Sequence, residues 1–164
     1  IGDTIKFTDV EKAEIKITGR TKFFMNVVGS QLSVQKMEAA LRELEEKFDT
    51  QIPEFTMAAV KIENEFFHHW YLGTGCRVEE SELAKALDEA LKEANNNYKV
   101  ARSRALKGVK ISKVPQSLFL DWNAHQKKKG GQVKMENVMN EEKFEQWENF
   151  VKNHQRNFQN ETEP

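Results

Sequence analysis

The residues predict an α+β domain, a mixed β-sheet of about five to six strands with three to four packed helices. Two periodicities carry that expectation. Short stretches at 4–8, 15–18 and 109–114 alternate apolar and polar residues, as half-buried strands do. Longer stretches at 34–48, 83–98 and 144–154 repeat apolar residues at steps of three and four, which lines one helix face. Composition supplies the third observation: 38% hydrophobic and 31% charged residues among 164, enough for one domain with one core.

In chain order, Thr4-Ile5-Lys6-Phe7-Thr8 alternates as a strand, Asp9 to Glu14 connects, and Ile15-Lys16-Ile17-Thr18 alternates again before Gly19. Lys22-Phe23-Phe24-Met25 extends the opening into a small antiparallel meander. Ser33 stands where a cap would start a helix carrying Val34, Met37, Leu41, Leu44 and Phe48 on one face. Pro53 closes that segment, and residues 55–62 and the aromatic-rich 66–72 read as buried strands. Ser81 is placed to cap the next helix, with Glu82 near its positive end and Leu83, Leu87, Leu91, Ala94 and Tyr98 along one stripe. After a strand at 109–114, Ser117 is placed to cap a helix through Phe119 and Trp122 that stops at Gly130-Gly131. Asn140 then caps a helix bearing Phe144, Trp147, Val151 and His154. Residues 1–154 form the domain, and 155–164 are a polar tail expected to fray.

Bulk properties narrow the function classes. A net charge of −1 lacks the strongly basic footprint of a nucleic-acid binder. No apolar run is long enough to cross a bilayer, so no membrane partner is expected. The single cysteine, Cys76, excludes an internal disulfide and fits a reducing, cytoplasmic setting. The opening Ile1-Gly2-Asp3-Thr4 has no initiator Met and begins at once on strand alternation, as a piece of a longer chain would.

Several residues invite a chemical role. His68 and His69 are neighbours in a strand, so they face opposite ways and do not easily share a metal. Cys76 between Gly75 and Arg77 has a cation nearby, but lacks the surroundings of a nucleophile and reads as a turn residue. Lys127-Lys128-Lys129 suits the negative end of a helix as well as it suits phosphate. Gly130 and Gly131 permit close backbone approach to a ligand, and Lys134 would be presented on the same loop. The three tryptophans read as core anchors. Composition and spacing alone end at an α+β domain without an assigned reaction.

Several strings, taken in order, resemble the C-terminal part of the auxin-responsive promoter family of acyl-acid amido synthetases. They are Ile1-Gly2-Asp3-Thr4 with Phe7, then Ile15 to Lys22, then Asn26, Gly29 and Leu32. Further on come Leu87-Asp88-Glu89 with Leu91, Asn95, Tyr98 and Arg102, then Phe119 with Trp122, and Gly130-Gly131-Gln132 with Lys134. The resemblance implies the small, mobile lid of an adenylate-forming enzyme, which closes over a large N-terminal domain. It implies ATP and Mg2+ in the full-length enzyme, neither being expected on the isolated domain, and a small carboxylic acid and an amine as substrates. It further implies Asp3 on the ribose hydroxyls, Arg20 facing the nucleotide, Lys22 as the hinge, and Lys134 as the lysine that reaches the reacting carboxylate and phosphate. The chain departs from the family pattern at Ser30-Gln31, where acidic residues are common, and at Glu136-Asn137, where Pro-Arg is typical. The alternative from another class is a free-standing α+β module that recruits a protein partner; the start inside Gly2-Asp3 favours the lid.

Overall fold

The computed structural model describes the backbone of residues 3–9, 14–20, 24–25, 30–126 and 134–161, with side chains over 30–126 and 134–155. Among these, Asp3–Asp9 (β1) and Glu14–Arg20 (β2) form an antiparallel pair, and Phe24–Met25 (β3) pairs with Leu32–Ser33 (β4). Ser33 is extended, and its Oγ accepts from Lys36 N at 3.4 Å, which starts Val34–Phe48 (α1) as the sequence predicts. Asp49, left-handed at φ 46°, ends it and returns its N–H to Glu45 O.

Glu54–Ile62 (β5) and Glu65–Gly73 (β6) form an antiparallel hairpin. Its two turn residues, Glu63 (φ 48°) and Asn64 (φ 68°), are both left-handed, the backbone whose twist suits a two-residue hairpin loop. Glu80–Ala94 (α2) and Asn96–Arg104 (α3) follow, and Leu106–Val114 (β7) joins β6 in parallel, so the sheet order is β5-β6-β7. Gln116–Gln126 (α4) and Glu141–Glu161 (α5) complete the described elements. Asn140 Oδ1 accepts from Lys143 N at 2.9 Å, which makes it the cap of α5 that the sequence predicts.

The α+β class holds, with three differences. The main sheet has three strands rather than five or six, because β1 pairs only with β2 and β3 only with β4 among the described residues. Among the described residues five helices stand where three or four were expected. The predicted 81–98 helix breaks at Asn95, whose Oδ1 accepts from Asn97 N (2.9 Å) and Tyr98 N (3.2 Å) and so starts α3 anew. Third, two cap positions shift. Glu79, not Ser81, precedes α2, and it caps without a side-chain bond. At α4 the helix is already under way at Ser117, with Leu118 N donating to Pro115 O.

The sheet divides two cores. On one face, β5 and β6 present Phe55, Met57, Trp70 and Leu72 to Met37, Leu41 and Leu44 of α1, and to Leu83, Leu87 and Leu91 of α2. On the other, Ala58, Tyr71 and Val114 meet Phe119 and Trp122 of α4 and Phe144, Trp147 and Val151 of α5. Each fully buried aliphatic or aromatic side chain contributes roughly 1.5–3 kcal/mol. Gly73 allows Phe119 of α4 to approach closely, since a Cβ there would lie 3.0 Å from the Phe119 ring. All three tryptophans are buried, as anchors of the core.

Candidate functional site

Among the described residues, the site residues that the resemblance implies fall in two places. Asp3 and Arg20 begin and end the β1–β2 hairpin, and the register sets them directly opposite each other. The register thus brings the backbone of two residues far apart in sequence side by side. Lys22, Gly29, Gly130 and Gly131 lie outside the described residues.

Lys134 is described, and it is exposed. The segment that follows it runs parallel to the open edge of β5. Met57 N donates to Asn137 O, and Met139 N donates to Met57 O, both at 2.9 Å, with Val138 bridged to Met57. Side chains strengthen the seam. The Thr56 hydroxyl donates to Glu136 O at 2.7 Å, and Asn137 Nδ2 donates to Phe55 O at 3.2 Å. Glu136 Oε1 also pairs with Lys143 Nζ in the first turn of α5 at 2.6 Å. This edge would otherwise expose a row of unpaired backbone groups. The Glu136-Asn137 departure therefore supplies its own attachment to the sheet.

Within the first departure, Gln31 takes a left-handed backbone (φ 43°), unusual for a residue other than glycine. Two amides hold it there. Asn95 Nδ2 donates to Gln31 O at 3.1 Å, and Asn97 Nδ2 donates to Gln31 Oε1 at 2.8 Å. Asn95 thereby ends α2, starts α3 and fixes the residue before β4, with 3% of its surface exposed.

Two polar clusters were not identified from the sequence. Between α2 and α3, Asp88 Oδ1 accepts from Tyr98 OH and Arg102 Nε, each at 2.6 Å. Its Oδ2 accepts from Arg102 Nη2 (3.0 Å) and Lys92 Nζ (2.8 Å), while Arg102 Nη1 also donates to Leu106 O (2.6 Å). Burial pushes the Asp88 carboxyl up, but the bonds from Arg102, Lys92 and Tyr98 outweigh it and hold the pKa at about 2. Motif residues Asp88, Asn95, Tyr98 and Arg102 thus serve to lock a helical corner.

On the opposite face, His69 lies between Ser112 Oγ (2.9 Å from Nε2) and Glu148 Oε1 (3.4 Å from Nδ1). Burial, with Lys110 nearby, lowers its pKa to about 4, so the ring is neutral near pH 7 and its contact with Glu148 is not an ion pair. The order hydroxyl, imidazole, carboxylate is that of a nucleophile with its base. Here the ring is packed between Tyr71 and Phe144, and the N–H of Lys113, beside Ser112, is taken by Glu80 Oε1 at 2.7 Å rather than aimed at a developing oxyanion. The cluster satisfies polar groups buried under α5. His68 faces the other core, fully buried beside Tyr98, its pKa lowered to about 4 chiefly by burial. The two histidines thus point apart, as expected for neighbours in a strand. Cys76 lies in the connection after β6, its N–H donating to Thr74 Oγ1 at 3.2 Å, in agreement with a turn role. No helix among the described residues is long and apolar enough to cross a membrane.

Comparison with known proteins supplies a family. A model described as the GH3 family C-terminal domain matches residues 30–143. A solved GH3.15 acyl acid amido synthetase superposes with a TM-score of 0.68 at 16% identity, covering 90% of this chain and 29% of its own. The AtGH3.15 acyl acid amido synthetase in complex with 2,4-DB gives 0.64 at 18% identity, again over 90% of this chain and 29% of the other. These two likenesses establish the fold, and the chain spans 29% of the length of either protein. The comparison with curated proteins finds no match.

Proposed function

The chain belongs to the GH3 family, matching its C-terminal domain over residues 30–143, and from that membership we propose that it is the lid of an ATP-dependent acyl-acid amido synthetase. In such an enzyme a carboxylate oxygen attacks the α-phosphorus of ATP, giving an acyl-adenylate and releasing pyrophosphate. An amine, that of an amino acid, then attacks the acyl carbon, displaces AMP and loses its proton to leave an amide. The partner of this domain is the large adenylating domain, which would carry the acid pocket and most of the nucleotide site.

The family match is the observation that carries this reading, and the local geometry agrees with it. An ionised Asp3 accepts hydrogen bonds only, which suits the two ribose hydroxyls, and Arg20 stands opposite it in register. Negative charge grows on the phosphates as the carboxylate attacks, so a lysine brought up at that moment lowers the barrier. Lys134, exposed and followed at once by an attached segment, is suited to that role. Mg2+ would enter with ATP. On this reading the charge that the chain would offer the phosphates is that of Arg20 and Lys134.

The test uses the full-length protein that carries this chain. Acid-dependent exchange of pyrophosphate into ATP is expected, followed by amide formation when an amino acid is added. Lys134→Ala should slow exchange by about two to three orders of magnitude and the transfer step far less. An enzyme without acid-dependent exchange would refute the ligase reading. Exchange at the parental rate in Lys134→Ala would remove that lysine from the chemistry.

A further inference from the structure

The attachment of the segment after Lys134 carries a further step, which rests on the ligase reading above. A lysine on a long flexible stem stabilises a transition state only if its backbone is already in place, since ordering it during the reaction would cost the entropy that preorganisation saves. What could place Lys134 lies just beyond it. Thr56 is fully buried, and its hydroxyl has Glu136 O as acceptor at 2.7 Å. Asn137 is tied twice to β5, by its main-chain O to Met57 N (2.9 Å) and by Nδ2 to Phe55 O (3.2 Å). The backbone bonds alone would fix a strand-like run. The two side-chain bonds add attachment at the end nearest Lys134, where the run would otherwise fray.

We propose that Asn137 and Thr56 are positioning residues for adenylation, holding the base of the Lys134 segment on the edge of β5 so that the ammonium group arrives preorganised. Neither touches substrate, and both act through Lys134. Each therefore matters to the reaction only while the lysine is present.

That dependence is measurable as a double-mutant cycle in the full-length enzyme, read by acid-dependent pyrophosphate exchange. Asn137→Asp keeps the shape but replaces the donor by an oxygen facing Phe55 O. It should lower kcat for exchange about tenfold, the effect of one lost hydrogen bond, with little change in amide transfer from preformed acyl-adenylate. In a Lys134→Ala background the same substitution should change exchange by less than about twofold. An equal loss in both backgrounds would overturn the proposal, because a purely structural role is indifferent to the lysine. No loss in either background would also overturn it. Should Asn137→Asp fail to fold, Thr56→Val removes only the hydroxyl bond to Glu136 O and must show the same dependence on Lys134. Absence of exchange in the unmodified enzyme would instead refute the ligase reading, and a Lys134→Ala enzyme at parental rate would refute the lysine's role and this inference with it.

Discussion

Asp88 is the shared acceptor of the polar cluster between α2 and α3. Its carboxylate is 11% exposed and is met by Tyr98, Arg102 and Lys92. Removing one partner of such a group strands the rest without water to replace it. Asp88→Ala should therefore cost on the order of 3 kcal/mol in urea unfolding, and Tyr98→Phe only about 1 kcal/mol. Because the folded pKa lies near 2, below the ordinary 3.8, this stabilisation is complete above about pH 4 and drains as the pH falls toward 2. The sequence listed Asp88, Tyr98 and Arg102 as family-like residues, yet it placed Tyr98 on the stripe of one long helix. Its hydroxyl finds Asp88 only because the helix breaks at Asn95.

That break is the element-scale feature with the clearest consequence. Asn95 competes with helical backbone through its own side chain, its Oδ1 capping α3 where α2 ends, while its Nδ2 donates to Gln31 O. Asn95→Ala should destabilise the domain by about 2 kcal/mol, combining a lost cap with the release of a left-handed residue. Asn95→Asp keeps the cap and loses only the Gln31 bond, so its cost should be smaller, on the order of 1 kcal/mol. Equal losses for the two variants in denaturant titrations would show that the cap contributes nothing, and no loss in Asn95→Asp would show the same of the Gln31 bond. Helix starts at Ser33 and Asn140 were legible because capping is local chemistry. The cap of α2 was misplaced because Glu79 offers no side-chain bond that composition could reveal.

For the whole molecule, the two faces of the sheet respond alike to acid. His68 and His69 sit on opposite faces and both have pKa values of about 4, chiefly through burial. The groups around them are Asp88 and Arg102 on one side, and Lys110, Ser112, Tyr71 and Glu148 on the other. The unfolded chain binds protons at these rings below about pH 6.5, whereas the folded chain resists until about pH 4. Stability is therefore complete above pH 6.5 and should fall by on the order of 2–3 kcal/mol per histidine on the way to pH 4. His68→Phe should flatten about half of that slope in pH-dependent urea unfolding, and an unchanged slope would contradict a neutral, buried ring. The sequence by itself determined the order of the long elements, the helical faces, the opposite aim of the two histidines and the family, because periodicity, capping and motif order are written locally. Only the tertiary structure decided that the main sheet has three strands, that it separates two cores, and that residues 136–139 close its β5 edge. Pairing and burial depend on which surfaces find each other across the chain, and at Asp88, Gln31 and Asn137 the deciding partner lies ten to more than eighty residues away.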